Sequence, residues 1–179
     1  MIKIIDNIVS KKQQNIIKKY VFSNYFPWYY INDVSILDNP DERKPGLSHY
    51  FILNNKVSSD GFKTIECLIS ATLNKLKIEK AAVIQCRAFL QFPLSENIIK
   101  GRYVDSPHID LLEKHTAFLY YVNDSDGDTV IFEDAKKNKI KKKIKPKQGR
   151  MVIFDGSYWH SGSQPRHSNR CVINTDVRI

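Results

Sequence analysis

The chain has 179 residues, 42% apolar and 11% aromatic, enough for one domain with a single core and too apolar for a disordered protein. No apolar run approaches the roughly 18 residues of a membrane helix, and three scattered cysteines, Cys67, Cys86 and Cys171, argue for reduced thiols rather than a disulfide framework. The net charge of +9 has one source: residues 136–150 hold eight Lys and one Arg with no acid, and the remaining 19 basic residues balance 19 acidic ones.

Residues 2–9 are short and β-prone, with Ile2, Ile4, Ile5, Ile8 and Val9. The next stretch, SKKQQNIIKKYVFS, predicts an amphipathic helix: Ile16, Ile17, Tyr20 and Val21 recur at helical spacing, with Ser10 as its cap. FPWYYINDV has strand character, DNPDERKPG is a charged loop, and LSHYFIL is a strand. Ser58, Ser59 or Asp60 then caps a second helix, whose apolar stripe is Phe62, Ile65, Leu68, Ile69, Leu73 and Leu76.

From Ala81 the texture changes. Eight strand-like runs follow: AAVIQCRAFLQF, RYVDSPHID, HTAFLYYVN, DTVIFED, KIKKKIKPK, GRMVIFD, YWHSGSQP and NRCVINTDV. Turn-forming clusters separate them. Short, evenly spaced strands preceded by helices predict an α+β, mainly β fold. Its core reads as a jelly-roll or barrel over 81–179, packed by the helices of residues 1–80. The lysine-rich run reads as a solvent-facing ribbon, which either attracts an anionic partner or keeps an exposed edge soluble.

Chemistry enters with His108-Ile109-Asp110 and, 52 residues beyond His108, His160. A lone His-x-Asp is ordinarily a surface His beside an acid. Two residues apart on a strand, however, His108 and Asp110 point to one face. His160 follows the apolar run Met151 to Phe154 and an Asp-Gly turn, which lets a later strand return to the same mouth. Two imidazoles and a carboxylate on one face of an octahedral ion leave three positions open, the facial triad of non-haem Fe(II), which would also accept Mn, Co, Ni or Zn.

The series from about Arg102 to Val177 resembles the Fe(II)- and 2-oxoglutarate-dependent dioxygenases, and within them the prolyl-hydroxylase-like branch, particularly its small phage and bacterial members. The parts stand in the family's order as HID, FLYYVN, DGDTVIFE, PKQGRMVIFDG, YWH and Arg170, ten residues after His160. The resemblance implies a jelly-roll, cupin-like double-stranded β-helix core over 81–179, with residues 1–80 supplying supporting helices and substrate-side elements of the same single domain, although the first hundred residues match only loosely. The resemblance implies His108, Asp110 and His160 as catalytic metal ligands, with Fe(II), O2 and the co-substrate 2-oxoglutarate, and allows for ascorbate. It implies that Arg170 binds the distal carboxylate of 2-oxoglutarate, a role its planar fork suits. Tyr121 occupies the position whose hydroxyl assists that carboxylate, and Tyr120, facing the other way, takes its place if the register slips by one. Tyr103 and Asn174 are further candidates for lining the pocket.

The other polar residues have blander readings. His115 and His49 are expected to be structural, His167 solvated, and Trp159 a shield beside the site. Arg87, on an apolar strand, must be paired if buried, at an edge or in the pocket. The expected reaction is hydroxylation of an unactivated C–H bond, of a prolyl or other peptidyl or amino-acid side chain, with release of succinate and CO2. Asp110 supports this outcome, because an Ala or Gly there would open a halide site. One alternative is nucleic-acid oxidation using the lysine ribbon, although in that branch the co-substrate Arg lies farther beyond the distal His. Another is a non-catalytic cupin-like metal-binding module. Expected partners are a peptide, protein or small-molecule substrate, with nucleic acid second and no membrane. The N-terminus lacks a signal-peptide pattern, so the cytoplasm is the expected compartment, that of a host if phage-encoded. Selectivity is expected in residues 34–60, 91–103 and 124–128; the sequence gives no oligomeric state.

Overall fold

In a computed structural model, residues 1–34, 43–133 and 139–179 are described. Most of the 38–46 loop and the first lysines of the basic run, Lys136 and Lys137, lie outside them. The chain runs β1 (Ile2–Ile5), α1 (Lys11–Val21), β2 (Tyr29–Ile31), β3 (Gly46–Leu53), β4 (Lys56–Val57), α2 (Phe62–Leu76), β5 (Ala82–Gln91), α3 (Glu96–Ile99), β6 (Thr116–Tyr121), β7 (Thr129–Phe132), β8 (Ile140–Ile144), β9 (Met151–Asp155), β10 (His160–Gly162) and β11 (Arg170–Arg178). Among the described residues, no helix is long and apolar enough to cross a membrane.

Two antiparallel sheets face each other. The large one has the order β1-β9-β6-β11-β5-β3-β2, with β4 on β3, and the small one is β10-β7-β8. This is the mainly β jelly-roll arrangement expected, with α1 and α2 on the outer face of the large sheet. Strand alternation divides the core in two. Phe118 and Tyr120 of β6 join Ile17, Val21, Ile65 and Leu68 of the helices, whereas Leu119 and Tyr121 join Ile131 and Ile144 of the small sheet. The register thus turns Tyr121, not Tyr120, toward the interior between the sheets.

Local signals hold unevenly. Ser10 caps α1 by accepting from the Gln13 N–H at 3.2 Å, but Ile16 is exposed and the stripe is carried by Ile17 and Val21 with buried Gln14. No side chain caps α2: its N-cap is Gly61. Ser59 is drawn away, its hydroxyl meeting His49 Nε2 at 2.9 Å and the Gly61 N–H at 3.2 Å. The expected strand over RYVDSPHID is replaced by two isolated bridges, Val104–Ser163 and His108–His160. Pro107 between them has no N–H for a ladder and a fixed φ, which breaks the run. The helical turn α3 in the 91–103 connection was not foreseen.

Candidate active site

The three expected metal ligands meet at one end of the space between the sheets. His108 and His160 pair across their bridge with reciprocal backbone bonds of 2.9 Å, which sets their rings side by side with centroids 4.7 Å apart. Asp110 reaches both: His160 Nε2 lies 3.2 Å from its Oδ2 and His108 Nε2 3.8 Å from its Oδ1. One donor atom from each residue lies within 4.8 Å of the other two. Each histidine turns Nδ1 to a backbone carbonyl, His108 to Ser106 at 3.3 Å and His160 to Tyr158 at 3.1 Å. A carbonyl only accepts, so the proton sits on Nδ1 and the Nε2 lone pair points at the common centre, as a metal-binding imidazole requires. The donor set therefore fits a divalent ion.

Electrostatically the two histidines differ. Burial, helped by neighbouring His160, lowers His108 to about 4, so it is neutral and ligand-ready at pH 7. For His160, burial is outweighed by the Asp110 carboxylate, which raises its pKa. Asp110 is held far below the usual carboxylate range: burial opposes this, but His160, Arg87 and His108 outweigh it. Arg87 settles its earlier ambiguity here. Its Nη2 donates to Asp110 Oδ1 at 2.6 Å, and its guanidinium lies 4.6 Å from the Phe89 ring centre. Asn174 Nδ2 donates to Asp110 Oδ2 at 3.1 Å. The carboxylate is thus gripped from two sides.

A cavity of about 260 Å³ opens beside these ligands. Arg87, Phe89 and Gln91 of β5 and Arg170, Val172 and Asn174 of β11 form one wall, because alternate residues of paired strands share a face. Arg170 is buried in it. Its Nε donates to Gly127 O at 2.9 Å, Nη1 to Gln91 Oε1 at 2.9 Å and Nη2 to Thr129 Oγ1 at 2.8 Å. A guanidinium has five N–H bonds, so one on each terminal nitrogen remains for a carboxylate. Tyr121 reaches this cluster only through Thr129, to which its hydroxyl donates at 2.7 Å.

Tyr103 does not line this cavity. Its hydroxyl donates to Glu96 at 2.7 Å, Arg166 covers its ring at 3.7 Å, and the cavity wall does not include it. The broken strand before His108 removes the alternation that would have aimed it inward. His115 is buried with Nδ1 on the Glu113 carbonyl at 2.7 Å, His49 bridges Pro27 O and Ser59 Oγ, and His167 is exposed. Of the lysine ribbon, the β7–β8 register puts Lys142 on the face of Ile131 and His160 and Lys143 on the opposite face, while Lys141 sits at the bulge with its Nζ 5.1 Å from the Tyr158 ring centre. Two contributors went unseen in the sequence, Gln91 and Thr129. The available signal was a polar residue ending one apolar strand and opening another.

The comparisons follow the same lines. Residues 99–177, which carry all three ligands and Arg170, match the model of the 2OG-Fe(II) oxygenase superfamily, whose members use Fe(II), 2-oxoglutarate and O2. No curated relative matches in sequence. Among solved structures, the chain is similar to an oxidoreductase of the 2OG-Fe(II) oxygenase family from Burkholderia pseudomallei, with 8% identity, TM-score 0.74, and 98% of this chain and 84% of that one covered. It is also similar to a prolyl hydroxylase from Trichoplax adhaerens solved with a hypoxia-inducible-factor peptide fragment (16%, TM-score 0.67, 98% and 82%). A third likeness is to the viral collagen prolyl hydroxylase of Paramecium bursaria Chlorella virus-1 (14%, TM-score 0.60, 99% and 95%).

Proposed function

We propose that this chain, whose residues 99–177 match the model of the 2OG-Fe(II) oxygenase superfamily, is such an oxygenase and hydroxylates an unactivated C–H bond of a prolyl or other peptidyl or amino-acid side chain. The carrying observation is the shared cavity: His108, Asp110 and His160 converge at one end, and buried Arg170 offers two open N–H bonds in the same wall. The chemistry supplied by bound iron(II), 2-oxoglutarate and O2 is insertion of one oxygen atom into the C–H bond, the other ending in succinate as CO2 leaves.

The chain's residues do the placing. The two imidazoles and Asp110 would hold the ion, with their orientation fixed by the Ser106 and Tyr158 carbonyls, Arg87 and Asn174. Arg170 would take the distal carboxylate of the co-substrate through a planar two-point contact, aligning its other end on the ion. Leu119, Val172 and Phe89 would keep water from the reacting end. For the substrate, β2 supports an extended peptide. It is an edge strand of the large sheet, Tyr29 and Tyr30 are exposed on it, and Ile31 lies at the cavity. An edge strand presents free backbone groups on which a peptide can add.

The first test is anaerobic: Fe(II) plus 2-oxoglutarate should give a visible metal-to-ligand absorption band that His108→Ala abolishes. Absence of the band would overturn the reading. Succinate release screened over proline-containing peptides, free amino acids and oligonucleotides then identifies the substrate class; response to oligonucleotides alone would replace the peptidyl assignment.

A further inference from the structure

Four polar side chains from separate segments form one buried line behind the cavity. Lys44, Gln91, Asp105 and Arg170 are each 5% exposed or less. Lys44 Nζ lies 2.8 Å from Asp105 Oδ1 and also donates to Arg102 O at 2.5 Å and Val104 O at 3.4 Å. Asp105 Oδ2 accepts from Gln91 Nε2 at 2.9 Å, and Gln91 Oε1 accepts from Arg170 Nη1 at 2.9 Å. A carboxylate can only accept here, so Asp105 fixes the Gln91 amide with its nitrogen toward Asp105 and its oxygen toward Arg170. The amide cannot turn over, and the Arg170 fork inherits that orientation.

The charges are arranged as pointedly as the hydrogen bonds. Arg170 and Asp105 alone would cancel, and an incoming carboxylate would be a buried anion in a neutral setting. Lys44 neutralises Asp105 instead, leaving the charge of Arg170 for the ligand; the four charges then sum to zero only when a carboxylate is bound. Gly162 gives the line its room. A Cβ there would come within 3.3 Å of Asp105 Oδ2 and Gln91 Oε1 and 3.4 Å of Arg170 Nη1. The far end is tied to the cavity mouth, where the Val34 N–H donates to Lys44 O at 2.9 Å and Val34 lines the cavity.

We propose that Lys44, Asp105 and Gln91 are positioning residues for Arg170, and that Lys44 sets the affinity for a 2-oxo acid carrying a second carboxylate without touching it. This rests on the oxygenase reading above. The test is an anaerobic titration of the Fe(II)-loaded protein, followed by its absorption band, with 2-oxoglutarate and with 2-oxobutyrate, which chelates alike but lacks the distal carboxylate. Lys44→Met should weaken 2-oxoglutarate at least tenfold and 2-oxobutyrate less than twofold. Lys44→Met combined with Asp105→Asn, which restores the net charge of the line, should recover most of the loss. Should Lys44→Met not fold, Lys44→Gln is titrated in its place, and should likewise weaken 2-oxoglutarate at least tenfold and 2-oxobutyrate less than twofold.

An unshifted 2-oxoglutarate affinity in Lys44→Met or in its Lys44→Gln replacement, an equal loss for both ligands, or no recovery in the double variant would each overturn the proposal while the parent's band leaves the oxygenase reading standing. A parent protein without a band would overturn both.

Discussion

Replacing Arg170 by Met removes the fork and keeps the volume. Two N–H bonds on its terminal nitrogens are open to a carboxylate, and each bond to a charged partner contributes about 1.5–3 kcal/mol. Their loss should weaken 2-oxoglutarate by about 3–6 kcal/mol, roughly 100-fold to 10,000-fold. The fold should survive, because the Lys44–Asp105 pair remains mutually neutralised at 2.8 Å and no lone charge is left behind. Thr129 keeps its bond from Tyr121, but Gly127 O and Gln91 Oε1 lose their donor, a cost of about 2–6 kcal/mol in stability. Calorimetric titration of Mn(II)-loaded protein with 2-oxoglutarate measures the affinity, and a separate Mn(II) titration should be unchanged, since Arg170 bonds to none of the ligands. Arg170→Lys, which restores the charge but not the planar pair, should recover only part of the loss. An affinity within threefold of the parent in Arg170→Met, or a parallel fall in Mn(II) affinity, would refute the assignment.

Three further outcomes are expected. His108→Ala should lower Mn(II) affinity more than the roughly 10- to 100-fold typical of losing a supporting partner, because a ligand itself goes; calorimetry showing a smaller fall would remove His108 from the ligand set. Burial and the nearby Asp110 charge raise Asp176 to about 6 from 3.8, so its ionised form costs the metal-free fold stability above pH 6 and nothing below pH 3.8. Asp176→Asn should therefore stabilise metal-free protein at pH 7.5 and hardly at all near pH 4, and an equal gain in melts at both would contradict the cause given. Gly149→Ala should destabilise by about 2 kcal/mol or more in urea unfolding, since φ is +83° and a Cβ would sit 2.4 Å from the Gln14 amide; a neutral effect would mean that α1 shifts without cost.

Sequence alone determined what local periodicity and residue chemistry encode. The Ile17–Val21 face of α1, the stripe of α2, seven of the eight strand runs after Ala81, and the spacing of His108, Asp110, His160 and Arg170 are all short-range patterns. A strand's alternation fixes which residues share a face, so a metal triad and a cation in one β-rich interior could be read directly. Alternation does not say what stands opposite. Arg170 meets Gln91 because β11 pairs with β5 in that register, Asp105 meets Lys44 across 61 residues, and Asp110 meets Arg87 across 23. Tyr103 lies off the cavity wall because Pro107 and two isolated bridges, not a ladder, carry its segment. Periodicity acts within a segment; the partners of a buried charge are chosen by long-range register, where only pairings that satisfy every desolvated donor and acceptor persist. His108, Asp110, His160 and Arg170 could be singled out in the sequence, and the line of Lys44, Asp105 and Gln91 behind Arg170 came only with the tertiary fold.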